Sequence, residues 1–323
     1  MAYCAESYAA MLLCLSLSPN REEYARPLST AEYRDLAERV KQTSARRISA
    51  LMNVDISGIM QLLSLTEEEA YRVFILLSRA VQLSYAMEGF AEKGIRIVTE
   101  FDEEYPLRLI KRLGAAAPPV FYLYGDHAAL AQPSLGILGM SGIKTAAEVR
   151  ASVEAVTLFA RRAGYRVMTG GELGVARVTE GLVLPGDCEL TAVLGGGLSE
   201  YVARPEIQAL DRAGRLVALS LEHPEALFTT AHAVARNKLL LALSEAAFLF
   251  NTDGKRGESD ALRLRACDWF YAWDGYPANA PLIHKGAIPF HQLDPKSLKE
   301  MAARWKDSRV EQLDMFDLFD ISD

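Results

Sequence analysis

The feature that most constrains this chain is a regular alternation of short apolar runs with amphipathic stretches between residues 135 and 273. Strands are predicted there at residues 135–138, 165–168, 191–194, 216–219, 246–250 and 269–273, and helices at 145–163, 205–213, 229–245 and 260–266. Two further strands are predicted before this region, at 95–99 and 120–124, with a short helical connector that starts at Tyr105-Pro106. Apolar strands separated by amphipathic helices are typical of a parallel sheet covered by helices on both faces. We therefore predict an α/β fold whose ligand site lies beyond the carboxyl ends of the strands.

The chain before residue 94 has a different pattern, because its apolar residues recur at helical spacing, as over residues 36–40, 51–65 and 70–86. Thr66 and Glu69 form a capping-box signature, which predicts a helix beginning at Glu67. Residues 54–63 would suit a SAM-like or helix-hairpin-helix unit on a DNA backbone with Gly58 as its turn, whereas a small helical packing domain is the simpler interpretation, because Gly58 is a single turn residue. We predict a helical domain at 1–93, the α/β domain at 94–292, and a C-terminal helix with an acidic, apolar tail at 293–323.

Composition narrows the possible classes of function. The net charge of −7 means that any affinity for nucleic acid must come from a local basic patch. The apolar segments lack the length of a membrane span or the basic start of a secretory signal, so we expect a cytoplasmic protein that does not enter a membrane. Four scattered cysteines indicate buried thiols rather than disulfides or a zinc site. No residues stand at the spacing of a catalytic or metal-binding motif, so we expect no catalytic residue, no bound metal and no cofactor.

Three glycine-containing loops follow predicted strands and are expected to meet at one crevice. Glycine lets backbone amides approach an anionic group, and a helix N-terminus favours phosphate. Each loop alone could be a simple turn, but three at equivalent positions favour a phosphate or nucleotide-like ligand. The candidate binding residues in these loops are Gly139, Lys144, Thr169, Gly170, Gly171, Gly174, Gly195 and Gly197.

Basic residues are expected near the same crevice. Arg236, Asn237 and Lys238 interrupt an apolar helix, so they are predicted to face the crevice or a partner, with a solvated helix face as the alternative. Lys255 and Arg256 lie in a predicted loop, where solvated charge and phosphate contact are both open. Other basic residues expected near this face are Arg177, Arg263 and Arg265.

An ordered series of short motifs over residues 50–291 resembles the DprA/Smf family of bacterial DNA-processing proteins. The motifs are Tyr105-Pro106, residues 118–126, Thr169-Gly170 with Gly174, residues 191–201, Arg236-Asn237-Lys238-Leu239 with Ser244, and Leu282-Ile283 with Gly286-Ala287. The resemblance implies an extended Rossmann-like domain that binds single-stranded DNA in a basic pocket, usually as a dimer, and helps to load a recombinase. It implies no catalytic activity.

The chain also departs from the family pattern at the proposed pocket. Gly139-Met140-Ser141 stands where the family has Gly-Ser-Arg, so Lys144 is the candidate replacement for the lost arginine. Thr179-Glu180 replaces the family's Ala-His, and Asn251 replaces an acid at a strand end. Two hypotheses follow: a divergent DNA-binding protein of recombination, DNA uptake or phage defence, or an antitoxin or nucleotide-ligand sensor that restrains a partner toxin enzyme.

The C-terminal tail combines acidic residues with regularly placed apolar side chains. Its segment Gln312-Leu313-Asp314-Met315-Phe316 resembles the peptides by which bacterial proteins bind the polymerase sliding clamp. Either this tail docks on the protein's own surface, or it is a docking peptide for the clamp. In the second case a peptide of residues 309–323 is predicted to bind the clamp weakly.

Overall fold

The computed structural model describes residues 3–19, 23–140, 147–171, 173–254 and 257–305. The N-terminal region is helical, as predicted, and its polypeptide turns back repeatedly on itself. Its α-helices are α1 (Ala5–Cys14), α2 (Thr30–Lys41), α3 (Ile56–Leu63), α4 (Glu67–Leu77) and α5 (Ala80–Glu92), and a 3-10 helix covers Ile48–Asn53. The predicted capping box is confirmed, because Thr66 accepts from the amide of Glu69 and the Glu69 carboxylate accepts from the amide of Thr66.

Two details of this region differ from the sequence interpretation. The apolar periodicity from residue 70 to 86 belongs to two helices, since the chain breaks at Ser78 and Arg79 between α4 and α5. Gly58 is not the turn residue that the helix-hairpin-helix interpretation requires, because it lies inside α3. The turn after that helix is made by Ser64, whose φ of 52° is left-handed.

In the described part of the chain, nine strands form one sheet in the order β1-β2-β6-β5-β4-β3-β7-β8-β9. They are β1 (Ile95–Thr99), β2 (Val120–Gly125), β3 (Ser134–Leu138), β4 (Arg166–Thr169), β5 (Leu190–Leu194), β6 (Leu216–Ser220), β7 (Ala246–Leu249), β8 (Trp269–Trp273) and β9 (Ile288–Phe290). In the sheet order from β6 to β9 all neighbouring strands pair in parallel, whereas β2 pairs antiparallel both with β6 and with the edge strand β1. The predicted mostly parallel sheet is confirmed.

Helices connect the strands and cover the sheet. They are α6 (Leu107–Leu113), α7 (Ala147–Ala163), α8 (Val175–Val183), α9 (Leu198–Val202), α10 (Pro205–Arg212), α11 (Thr230–Leu243), α12 (Glu258–Arg263) and α13 (Ala280–His284), and residues 295–305 are also helical. Sequence periodicity missed α8, α9, α13 and β9. These elements are short, and a run of three to nine residues gives little periodic signal.

The helical region and the sheet share a hydrophobic core. Tyr3 donates a hydrogen bond to the carbonyl of Ile97 on β1, and Tyr122 on β2 donates one to Ser16 after α1. Cys188 and Cys267 are buried as expected, but Cys4 is exposed, because it precedes the first helix at the surface. Within the described ranges, no helix is long and apolar enough to cross a bilayer.

Candidate nucleic-acid interface

Two adjacent cavities lie where the parallel strands end, and Gly170 lines both of them. The first, called the inner pocket, lies beyond β3 and β7, where the strand order reverses and ligands of such folds usually bind. It is lined by Ile137, Leu138, Gly139, Met140, Gly170, Ala176, Arg236, Asn237, Leu240, Asn251 and Glu258. Among the described glycines of the three predicted loops, Gly139 lines this pocket, Gly195 and Gly197 line the second cavity, and Gly170 lines both.

Protein side chains fill most of the inner pocket. The Arg236 side chain lies so close to Gly170 that a Cβ atom there would be 1.5 Å from its Nη1. Asn237 donates to the carboxylate of buried Glu258 at 3.2 Å, and Asn251 accepts from the backbone amide of Met140 at 2.8 Å. The remaining space is about 20 Å³, which is room for about one water molecule. The pocket in this form has no space for a nucleotide.

The second cavity, called the outer cleft, lies beyond β4 and β5 and has a volume of about 480 Å³. Its walls come from three loops and the helices α8 and α9. The lining residues are Gly170, Gly171, Leu173, Arg177, Leu194, Gly195, Gly196, Gly197, Glu200, Tyr201, Arg204, Ala226 and Phe228. A volume of this size falls in the usual range for small-molecule sites.

Glycine is required on the floor of the outer cleft for local reasons. Gly171 has a φ of 69°, and a Cβ atom there would lie 2.2 Å from Leu194. Gly197 approaches the carbonyl of Pro224 so closely that a Cβ atom would lie 2.2 Å from it. These contacts bring the loops after β4 and β5 together, and they leave backbone rather than side chains facing the cleft.

Two arginines supply positive charge on one wall of the cleft. Arg177 on α8 and Arg204 before α10 both contact the carboxylate of Glu206, with nitrogen to oxygen distances of 2.9 Å and 3.0 Å. Behind them, Glu180 is 1% exposed and lies 2.7 Å from Arg204 and 3.4 Å from Arg177. The cluster therefore joins two cations to two carboxylates, one buried and one at the surface.

Burial raises the proton affinity of Glu180, the buried carboxylate of this cluster. Loss of solvent raises the pKa of Glu180 to about 7, although the hydrogen bond from Tyr201 and the charge of Arg177 lower it. The Tyr201 hydroxyl donates to Glu180 at 2.8 Å, and burial raises the pKa of Tyr201 well above its usual value. Tyr201 therefore keeps its proton and fixes one carboxylate oxygen.

The mouth of the outer cleft carries exposed apolar side chains. Leu173 and Phe228, which line the cleft, are 64% and 46% exposed, and Leu227 next to Phe228 in the sequence is 77% exposed. Phe228 also contacts the floor, because a Cβ atom on Gly195 would lie 3.0 Å from its ring. An exposed aromatic ring beside a cation pair is a combination that suits unpaired bases and their phosphates.

The structure separates the other predicted residues. Thr169 is fully buried at the end of β4, and Gly174 caps α8 with a φ of 79° instead of lining either cavity. Lys238 lies 3.7 Å from Asp260 and, unlike Arg236 and Asn237, is not among the residues that line the inner pocket. The remaining predicted binding or docking residues lie outside the described residues: Lys144, Lys255, Arg256, Gln312, Leu313, Asp314, Met315 and Phe316.

Sequence reasoning missed Arg204 and Phe228 as site residues. Arg204 precedes Pro205 without a motif around it, and Phe228 belongs to a connection whose only signal is the apolar run Ala226-Leu227-Phe228. Such a run between a strand and a helix could have suggested an exposed ring. Among the described residues, no group of three or more His, Cys, Asp or Glu side chains could hold a metal ion.

Comparison with known proteins gives a family and a fold. The model of the family DNA recombination-mediator protein A matches residues 96–264, just over half of the chain. DNA processing protein A (DprA) from Streptococcus pneumoniae aligns with 84% of this chain and 98% of its own, with 16% identity and a TM-score of 0.56. The Helicobacter pylori protein, described for its unique single-stranded DNA binding mode, aligns with 65% of this chain and 96% of its own, with 17% identity and a TM-score of 0.49. The sequence matches no curated protein.

Proposed function

Since this chain belongs to the DNA recombination-mediator protein A family, we propose that it binds single-stranded DNA in the outer cleft. The observation that carries the proposal is the combination, in one open cavity, of a glycine floor, two arginines and an exposed phenylalanine. The arginines suit phosphates, the glycines allow close approach of the strand, and Phe228 offers a face on which a base can stack.

The same combination favours an unpaired strand over a duplex. Phe228 can stack only on a base whose face is free, and in a duplex both faces of each base are covered by its neighbours. A cavity of about 480 Å³ holds roughly one nucleotide, which a flexible strand can insert. With a net charge of −7, the chain attracts DNA only locally, so affinity should fall steeply as salt is added.

Fluorescence anisotropy tests this proposal with a labelled oligothymidylate of about 20 nucleotides, which is longer than one site. The test protein is called the cleft triple variant and carries Arg177→Ala, Arg204→Ala and Glu180→Gln. Glu180→Gln is included because the loss of both arginines would otherwise leave the buried Glu180 carboxylate without a cation. The control is Arg39→Ala on α2, which removes the same single net positive charge from an exposed ion pair.

We expect the cleft triple variant to bind about thirtyfold more weakly, at roughly 1 kcal/mol for each lost phosphate contact. Its logarithmic salt slope should be flatter by about 1.4, at about 0.7 per phosphate for a single strand. Arg39→Ala should retain the parent's affinity and slope. If the cleft triple variant binds like Arg39→Ala while both melt like the parent, the outer cleft is not the DNA site.

A second candidate function is the sensing of a nucleotide-like small molecule, and the size of the outer cleft favours it. Titration with mononucleotides separates the two functions. A DNA-binding protein should hold the oligonucleotide far more tightly than thymidine monophosphate, because several contacts along one strand act together. A sensor should bind one mononucleotide at least as tightly as the oligonucleotide.

A further inference from the structure

One carboxylate oxygen stands between the two cleft arginines. The Oε1 atom of Glu206 accepts from Arg177 Nη1 at 2.9 Å and from Arg204 Nε at 3.1 Å. It also lies 3.0 Å from Nη2 of Arg204. Two guanidinium groups from different elements thus converge on one anionic atom, as they would on a phosphate oxygen, and both arginines line the outer cleft.

We propose that Arg177 and Arg204 form a phosphate subsite, and that the Glu206 carboxylate fills this subsite until a DNA phosphate displaces it. The inference rests on the proposed function, because it concerns how the same cleft takes up a strand. Glu206 is then an internal competitor, which lowers the affinity for single phosphates and favours ligands that gain further contacts in the cleft.

The two carboxylates of the cluster differ in how easily they can leave. Glu206 lies in the first turn of α10, and its side chain is 38% exposed. Rotation of this side chain into solvent therefore costs little free energy. The Glu180 side chain is 2% exposed and is fixed by the Tyr201 hydroxyl at 2.8 Å. When Glu206 swings away, Glu180 therefore still holds Arg204 from behind, and the outer N–H groups stay directed to the cleft.

Displacement of the Glu206 carboxylate from the two arginines should cost only a moderate free energy, so that a DNA phosphate can replace it. Partly exposed ion pairs contribute little, because water and salt compete for the charges. The ring of Tyr201 adds a further support, since the Arg204 guanidinium lies 4.9 Å from its centroid. Removing the negative charge of Glu206 should therefore tighten DNA binding about fivefold without moving the arginines.

The test compares Glu206→Gln with Glu38→Gln by anisotropy with the same oligothymidylate. Glu38 lies on α2, is not among the residues that line the outer cleft, and its change removes the same charge from an exposed ion pair with Lys41. We expect about fivefold tighter binding for Glu206→Gln and less than twofold for Glu38→Gln, which reports the general effect of charge. Thermal melting of each variant controls for folding.

A double-mutant cycle completes the test. In the background of the cleft triple variant, Glu206→Gln should lose its specific gain and behave like Glu38→Gln. Equal gains from the two glutamines in the parent, or a fivefold gain that persists without the arginines, would overturn the inference. If the parent binds the oligonucleotide and is weakened as predicted by the cleft triple change, the proposed function survives that failure. Absence of DNA binding by the folded parent would instead contradict the proposed function.

Discussion

The inner pocket and the outer cleft lie side by side at the same edge of the sheet, yet they use glycine in opposite ways. In the inner pocket, Gly170 makes room for the protein's own Arg236, and about 20 Å³ remains. In the outer cleft, Gly171 and Gly197 let loops pack closely while about 480 Å³ stays open. Glycine after a strand thus creates space, and the neighbouring side chains decide whether that space is available to a ligand.

The contrast extends to the charged groups. In the inner pocket Asn237 and Glu258 are buried together, and Arg236 is only 6% exposed. In the outer cleft Arg177 and Glu206 keep about two fifths of their side chains in solvent. Rearrangement in the inner pocket would uncover buried charge, whereas rearrangement in the outer cleft exchanges one exposed partner for another. We therefore expect the inner pocket to support stability and the outer cleft to support binding.

The largest predicted effect is on stability. Arg236→Ala should lower the free energy of unfolding by about 3 kcal/mol, because it removes a large buried side chain and leaves a hole against Gly170. Urea denaturation followed by circular dichroism measures this change. Lys238→Ala is the matched control two residues away, and its partly exposed pair with Asp260 should cost less than about 0.5 kcal/mol. Equal losses for the two variants would contradict a structural role for Arg236.

A smaller effect is expected from the aromatic ring at the mouth of the outer cleft. Phe228→Ala should weaken oligothymidylate binding about tenfold, since stacking on one base contributes roughly 1–3 kcal/mol. The salt slope should stay unchanged, because no phosphate contact is lost. Anisotropy at several salt concentrations checks both points. Leu227→Ala is a control with a more exposed apolar neighbour, and an equal loss there would indicate a general apolar surface instead of stacking.

The smallest effect concerns pH. Burial raises the pKa of Glu180 to about 7, so the residue takes up a proton as pH falls from 8 to 6 and the cleft becomes more positive. Single-stranded DNA should then bind about threefold more tightly at pH 6 than at pH 8, the size of one screened charge contact. In Glu180→Gln this part of the pH dependence should vanish. A pH profile identical to that of the parent would show that another group titrates.

The same shift predicts a dependence of stability on pH. The folded-state pKa of Glu180 lies above the ordinary glutamate pKa of 4.5, so the folded protein binds this proton more tightly than the unfolded chain. The contribution of Glu180 to the free energy of unfolding should therefore fall as pH rises from about 4.5 through about 7. Denaturation of the parent and of Glu180→Gln across this window measures the difference. If the contribution of Glu180 to the free energy of unfolding instead rose with pH, the predicted direction would be wrong.

Much of the fold could be predicted from the sequence. The apolar runs gave the central strands within about two residues, because a strand buried on both faces leaves a continuous apolar signal. The β9 strand was missed since it has only three residues and includes Pro289. The split between α4 and α5 was missed because both helices keep the same apolar spacing across Ser78 and Arg79.

The site was less predictable, for a geometric reason. Strand-end glycines mark the correct edge of the sheet, but their spacing does not tell which cavity each will line. Successive residues of a helix point in directions about 100° apart, so Arg236 enters the inner pocket while Lys238 reaches Asp260. Arg204 and Phe228 come from connections, and only the folded chain brings them to the glycine loops.

The most direct test of the account is to find where the DNA lies. An oligothymidylate containing photoreactive 4-thiothymidine can be crosslinked to the parent protein, and the modified peptides can be identified by mass spectrometry. We predict adducts on Phe228, whose ring lines the outer cleft and is 46% exposed. The adducts should disappear when unlabelled oligonucleotide competes. Adducts confined to residues of the inner pocket, such as Met140, would contradict the assignment of binding to the outer cleft.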